Sequence, residues 1–392
     1  MIRCGLDRLL EDPARLRGRR YALLGHAASV SAGLRPAAVA LREVGAAPRL
    51  LFGPEHGFHG VEQDMVPSAD ARDPWTGLPI HSLYGDSSSS LRPDPAAFAG
   101  LDLLLVDLQD VGARYYTYAA TAVWAAAAAR RAGCEVWILD RPNPLGGVVV
   151  EGNLRRPGYE SFVGAFELPV RHGLTLGELV RLEASSSGWG EEVRVVAAEG
   201  WRRSLEWESV GRPWLAPSPN LPTLEAVRVY PGACLLEATN LSEGRGTSRP
   251  FLLSGAPGLD GAALAGRLEE AGLEGVRFLP VFFRPQAGKH AGRVCGGVRW
   301  VVLDPARFRP YRAGVELVRA ASRLWGGFAW RSEPYEFESE RTAVDLLTGD
   351  STLREAVDRG DDPTPWIESW ATDEEAFRTR RRAALIYPEE EE

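Results

Sequence analysis

The feature that most constrains this chain is an alternation early in the sequence, where short apolar runs take turns with segments of helical spacing. The runs are RYALLGH (20–26), PRLLFG (48–53), LDLLLVDL (101–108) and EVWILD (135–140), and helices are expected near 34–45, 93–99 and 114–132. Near-continuous apolar strands separated by helices are what a parallel sheet needs when both its faces are covered. The expectation is a βαβ series with right-handed crossovers.

After Gly152 the pattern loosens. A helix is expected from about Thr175, then short strands, then GRPWLAPSPNLPT (211–223), whose four prolines leave only an ordered loop. A strand is expected to lead into LLEATNLSEGRGTSRPF (235–251). A second unit then reads helix (261–272), strand (276–283), strand (294–303), helix (308–325) and mostly helices thereafter, ending in a solvated acidic PEEEE tail. The length of 392 residues suits two domains. The fold class is α/β: a Rossmann-like parallel-sheet N-terminal domain over 1–245 with a second, smaller α+β C-terminal domain over 246–392 closing a cleft.

Composition removes several function classes. A formal net charge of −8 gives no electrostatic reason for a nucleic-acid or anionic-membrane partner. No apolar stretch approaches a membrane span, and acidic residues interrupt the first segment, so the expected compartment is cytoplasmic. Cys4, Cys134, Cys234 and Cys295 form no CxxC pair and are expected as buried, inert thiols. There is no GxGxxG, GxxxxGK[ST] or GxSxG motif, and His56 and His59 lack the order and helical setting of a zinc motif. No cofactor and no metal are expected. Of 45 basic residues only Lys289 is lysine, so its compact ammonium either is held by geometry or is a leftover of base-composition bias.

What remains suits a sugar ligand: carboxylates, amides, arginines and aromatic rings placed after the apolar runs, where open α/β sheets bind ligands. Cleaving a glycosidic bond needs a carboxylic acid to protonate the leaving oxygen and, in most such enzymes, a second carboxylate. Glu55, between Pro54 and His56 just past a strand, is the candidate acid. The second carboxylate stays open among Asp107, Asp110, Asp140, Glu151, Glu178 and Glu243. Thr175-Leu-Gly-Glu178 also fits a capping box, in which Glu178 only satisfies a helix end. Arg114, Arg171 and Arg245 are candidate partners for a ligand carboxylate or, equally, structural ion pairs. One or two rings of the Tyr115, Tyr116 and Tyr118 cluster can face the cleft, and Trp214 is either a stacking platform or a core plug.

GLDRLL (5–10), GPEHGFHG (53–60), DPWTGLPIHSLYG (73–85), DLQDVGARYYTY (107–118), LDRPNPLGG (139–147), VEGN (150–153), ESFVG (160–164), PVRHGLTLGEL (169–179), PSPNLPTLEAV (217–227), TNLSEGRGTSRPF (239–251) and VCGGV (294–298) together resemble the exo-acting β-N-acetylmuramidases of the NamZ type. The resemblance implies a Rossmann-like domain beside a smaller α/β domain, with the active cleft between them. It also implies release of N-acetylmuramic acid from the non-reducing ends of peptidoglycan fragments, with a muropeptide or a muramic-acid disaccharide as the small-molecule substrate. Residue by residue it supports Glu55 and His56 at the centre, with Glu178 carried as the further catalytic candidate from the open set. The cleft candidates it supports are Asp107, Gln109, Asp110, Arg114, Tyr116, Asp140, Arg141, Asn143, Arg171, His172, Ser218, Asn220, Asn240, Arg245 and Thr247, and Glu243 joins them from its place in the loop. The pattern departs at LGHAASV (24–30), where the family has an Asn-Gln-Thr-Gly type of loop, and at GAPG (255–258), which ends in glycine where tryptophan is usual. The alternatives are an amino-sugar or muropeptide binding protein without chemistry, and a phosphosugar enzyme on the same scaffold.

Overall fold

The computed structural model describes residues 2–388; the PEEEE tail lies, from Glu389 on, outside the described residues. The larger sheet contains β1 (Tyr21–Gly25), β2 (Leu50–Gly53), β3 (Ala71–Arg72), β4 (Pro79–Ser82), β5 (Leu103–Asp107), β6 (Glu135–Leu139) and β7 (Val193–Val196). Their order is β3-β4-β2-β1-β5-β6-β7, parallel throughout except for the β3–β4 edge hairpin. The four apolar runs therefore supply the central strands. Their side chains alternate between two faces: Leu23, Leu51, Leu105 and Trp137 pack on α1 (Gly5–Glu11) and α2 (Ala37–Glu43), while Leu24, Phe52, Val106 and Ile138 pack on α3 (Tyr118–Arg131) and α4 (Leu176–Ser186).

The second sheet is antiparallel, in the order β8-β10-β9, from β8 (Leu253–Ala256), β9 (Val276–Phe283) and β10 (Cys295–Val302). The remaining helices are α5 (Leu224–Ala233), α6 (Gly261–Glu270), α7 (Pro310–Leu324), α8 (Ala343–Thr348), α9 (Thr352–Arg359) and α10 (Thr364–Arg381). One apolar core runs without a break from the α3 face of the large sheet into α5, α7 and β10.

Three expected elements differ. Residues 93–99 hold only a short 3-10 turn, Pro95–Phe98, capped by Asp94. The third helix starts at Tyr118 rather than near 114: Ala113 is drawn into an antiparallel bridge with Arg171, and the Arg114 N–H donates to Val170 O at 2.8 Å. The strand expected before 235 is the helix α5, with Thr223 Oγ1 accepting from Ala226 N. Its VRVY segment alternates like a strand, but a glycine contact decides the packing. A Cβ on Gly232 would lie 1.9 Å from Pro310 O, so α5 crosses α7 at backbone distance. The four cysteines are free and buried, and no helix among the described residues is long and apolar enough to cross a membrane.

Candidate active site

β1 lies at the centre of the large sheet, with β2 on one side and β5 on the other, so the strand order reverses across β1. Ligands of open α/β sheets bind beyond the strand ends at such a point. The turn after β2 carries Glu55 there. Gly53 permits it, since a Cβ at that position would meet Phe58 N at 2.6 Å as the chain folds back. His56 follows in the left-handed region at φ 70°, where a non-glycine residue is strained by about 1–2 kcal/mol, and its Nδ1 lies 3.0 Å from Glu62 O.

Glu55 is 4% exposed, and both its oxygens accept: Oε2 from Thr117 Oγ1 at 2.7 Å and Oε1 from Met65 N at 3.3 Å. Facing it across a small cavity are Glu336, Glu237 and Asp64, with Tyr116, Tyr230, Tyr335, Ser218, Asn220 and Arg245 completing the walls. Glu336 is held at φ 48° and accepts from Tyr84 Oη at 3.0 Å. Burial pushes the Glu336 carboxyl well above the usual carboxylate range, and the Glu55 charge beside it pushes further. A like charge close to a buried carboxyl makes its ionisation harder. Burial also raises Glu237, but Arg245, the Tyr335 hydroxyl at 2.6 Å and Lys289 outweigh it and hold that carboxyl low.

Arg245 is the one arginine lining this cavity. It pairs with Asp64 through Nη1, with Glu237 through Nη2 at 2.6 Å, and with Glu243 through Nε at 3.4 Å. Glu243 is therefore a strut behind the wall, gripped also by Lys289 Nζ at 3.0 Å, and is not itself on the lining. Lys289 gives its other bonds to Leu236 O at 2.7 Å and Leu241 O at 3.1 Å. Three diverging acceptors suit an ammonium and not a planar fork, so geometry holds the lone lysine.

Of the residues expected in the cleft, Glu55, His56, Tyr116, Ser218, Asn220 and Arg245 converge. The structure places the others elsewhere, each with a physical reason. Glu178 is fully buried in an ion pair with Arg203, and its Oε2 accepts from Thr175 N at 3.0 Å: it is the cap of α4, and nothing of it reaches the cavity. Arg114 spends its guanidinium on the carbonyls of Asn153, Leu168, Leu347 and Thr348. Asp107 and Arg141 form a closed bidentate pair at 2.6 and 2.9 Å. Asp140 ties Thr175, Gly177 and Tyr387 together.

Gln109 donates to Asp110 O and Pro142 O, and Asn143 to Leu174 O, so both amides brace loops. Asp110 and His172 lie against each other, buried, at 3.6 Å; burial pushes Asp110 up to about 7 and His172 down to about 3. Arg171 donates to Leu145 O and lines a separate hollow with Arg309. Asn240 brackets Gly327 O and Ala329 N, and Thr247 closes a local turn onto Gly244 O. Trp214 is a plug, donating to Leu221 O and packed edge-on to Trp207.

The sequence reading missed Asp64, Thr117, Glu237, Tyr335 and Glu336. Thr117 and Glu237 lay inside segments already quoted, one residue before Tyr118 and three before Asn240, whereas Tyr335 and Glu336 come from an irregular segment with no local signal.

The family models for the N-terminal and C-terminal parts of exo-β-N-acetylmuramidase NamZ match residues 21–225 and 228–387. The chain belongs to the NamZ exo-β-N-acetylmuramidase family. Among its NamZ relatives, the peptidoglycan β-N-acetylmuramidase NamZ of Bacillus subtilis is 36% identical over 98% of this chain and 91% of its own length. Two crystal structures of DUF1343 family proteins from Bacteroides fragilis share the fold. One has a TM-score of 0.87 at 28% identity, covering 99% of both chains; the other has 0.74 at 27%, covering all of both.

Proposed function

We propose that the chain is an exo-acting glycoside hydrolase that releases N-acetylmuramic acid from the non-reducing ends of peptidoglycan fragments in cell-wall turnover. The observation that carries the reading is the pairing of two buried carboxyls, Glu55 and Glu336, across one cavity of a NamZ-family chain. A glycosidase needs one carboxylic acid that keeps its proton near neutral pH and a second that does not. The pair fits that need: burial, with Glu55 nearby, pushes the Glu336 carboxyl up, and Glu55 accepts from Thr117 and the Met65 N–H. In this reading the pair protonates the leaving oxygen and stabilises the oxocarbenium-like centre, with Tyr116 and Tyr335 as ring walls. Arg245 receives the lactyl carboxylate that distinguishes muramic acid from glucosamine.

Residues 1–245 and 246–392 would act as the two walls of the cleft, since Glu55 comes from the first and Tyr335 and Glu336 from the second. Four free buried thiols fit a reducing, cytoplasmic setting. The test is release of chromophore from aryl N-acetyl-β-muramide beside the matching glucosaminide. Selective release from the muramide is the expected result. Tight binding of the muramide without release would point to a binding protein instead.

A further inference from the structure

The cavity between Glu55 and Glu336 holds only about 40 Å³. That is room for a few waters at roughly 10–15 Å³ each, whereas small-molecule sites commonly run to about 300–1,000 Å³. A segment without regular structure, residues 61–66, runs along it and puts Asp64 on its lining. This strap is held by Asp64 on Arg245, by Asn220 Nδ2 on Gln63 Oε1 at 3.0 Å, by Met65 N on Glu55 Oε1 at 3.3 Å, and by Glu62, whose N–H donates to His56 O at 3.2 Å and whose carbonyl meets His56 Nδ1. Met65 adopts φ 58° and packs against the main core, while Val61 stands 72% exposed, so the strap stores backbone strain and has one apolar anchor.

The three carboxylates on Arg245 are not equivalent. Glu237 and Glu243 are tied from behind by Tyr335 and Lys289, and their side chains are 10% and 6% exposed. Asp64 comes from the strap, its side chain is 34% exposed, and Arg245 is its ion-pair partner among the described residues. Burial pushes its carboxyl up, Arg245 pulls the other way, and the nearby Glu237, Glu243 and Glu55 add to the rise. Of the three, Asp64 is the one an incoming carboxylate can replace at small cost. The exchange swaps one charge-assisted guanidinium–carboxylate contact for another of the same kind.

Building on the muramidase reading, we propose that Asp64 is an internal stand-in for the ligand's carboxylate. It occupies the Arg245 fork in the empty molecule, and an anionic sugar must displace it to lift the strap and enter. A neutral sugar must break the same ion pair and has nothing to put in its place. Asp64 thereby sets a cost of entry that only an anionic sugar recovers at Arg245, and it keeps neutral sugars weakly bound.

The test is calorimetric titration of the full chain with N-acetylmuramic acid and with N-acetylglucosamine, for wild type, Asp64→Ala and Asp64→Asn. Removing the internal competitor raises the fraction of molecules with the fork open, so both variants are expected to bind N-acetylmuramic acid roughly tenfold more tightly, and N-acetylglucosamine, which needs the same opening, gains as well from a weaker start. Tightening in Asp64→Ala with Asp64→Asn unchanged would make the strap a simple steric cover and overturn the proposal, as would no change in either variant. A chain that shows the tightening in both variants yet releases no chromophore from a muramide would overturn the hydrolase reading alone. One that hydrolyses muramides while its Asp64 variants bind as wild type does would overturn the stand-in alone.

Discussion

Two regions of this molecule are equally rich in buried charge and opposite in how they hold it. Behind the ends of β5 and β6, Asp107 is matched by Arg141 and Glu178 by Arg203, while Asp140 accepts from Thr175, Gly177 and Tyr387. Around Glu55, by contrast, carboxylates face one another, with Arg245 shared among Asp64, Glu237 and Glu243. Burial penalises charge in both places, and only complete pairing offsets it. The first region is therefore scaffold. The second holds like charges together at a cost that the rest of the fold must bear, and such a cost persists where chemistry uses it.

This contrast gives measurable differences. Glu336→Gln removes the carboxyl that burial pushes up, and the expected loss in kcat/KM on an aryl muramide is about 10²–10⁴-fold, the usual worth of a positioned acid or base. Glu178→Ala, in the paired region, strands Arg203. It should cost about 3–5 kcal/mol in denaturant unfolding while leaving kcat per folded molecule near that of wild type.

Lys289→Met leaves Leu236 O, Leu241 O and Glu243 short of a donor and frees the Arg245 loop. An effect of about 1–3 kcal/mol is expected, read as a raised KM for muramides with little change in kcat, and Lys289→Arg should not restore it.

The smallest effect is on stability against pH. Burial raises Asp110 and Glu151 each to about 7, so their contribution is full below the unfolded pKa near 4 and is lost as pH rises through about 7. His26 and His172, lowered by burial to about 3, contribute fully above about 6.5 and oppose only further acidification. The unfolding free energy should therefore be higher at pH 6.5 than at pH 8, by about 1 kcal/mol for each carboxyl less about half that for each histidine, read as a higher melting temperature.

The parallel sheet was legible because its central strands are continuous apolar runs long enough to bury both faces. LDLLLVDL becomes Leu103–Asp107, and the strand expected over 276–283 is Val276–Phe283. The edge pair β3 and β4 gave no signal, being short and largely exposed. In α5, local alternation was overridden by the Gly232 crossing, a tertiary contact that no window of sequence contains. The same limit divides the site. Glu55, His56 and Tyr116 lie in motif-bearing loops at strand ends, and Arg245 sits between glycines that let its loop press against Ala287, where a Cβ on Gly246 would come within 2.3 Å. Glu336 arrives from some 280 residues further along the chain than Glu55, and only the folded molecule brings the two carboxyls together. Glu178 already fitted a capping box in sequence, but neither it nor Asp107 could be set aside there, because a satisfied carboxylate and an unsatisfied one are spelled alike.

The most direct test of that distinction is kcat/KM for aryl N-acetyl-β-muramide per folded molecule, with Glu55→Gln and Glu178→Gln measured side by side. The account predicts that Glu55→Gln loses at least about a hundredfold while Glu178→Gln stays within a few-fold of wild type. Retained turnover in Glu55→Gln with loss in Glu178→Gln would contradict it, and would move the chemistry to the α4 cap.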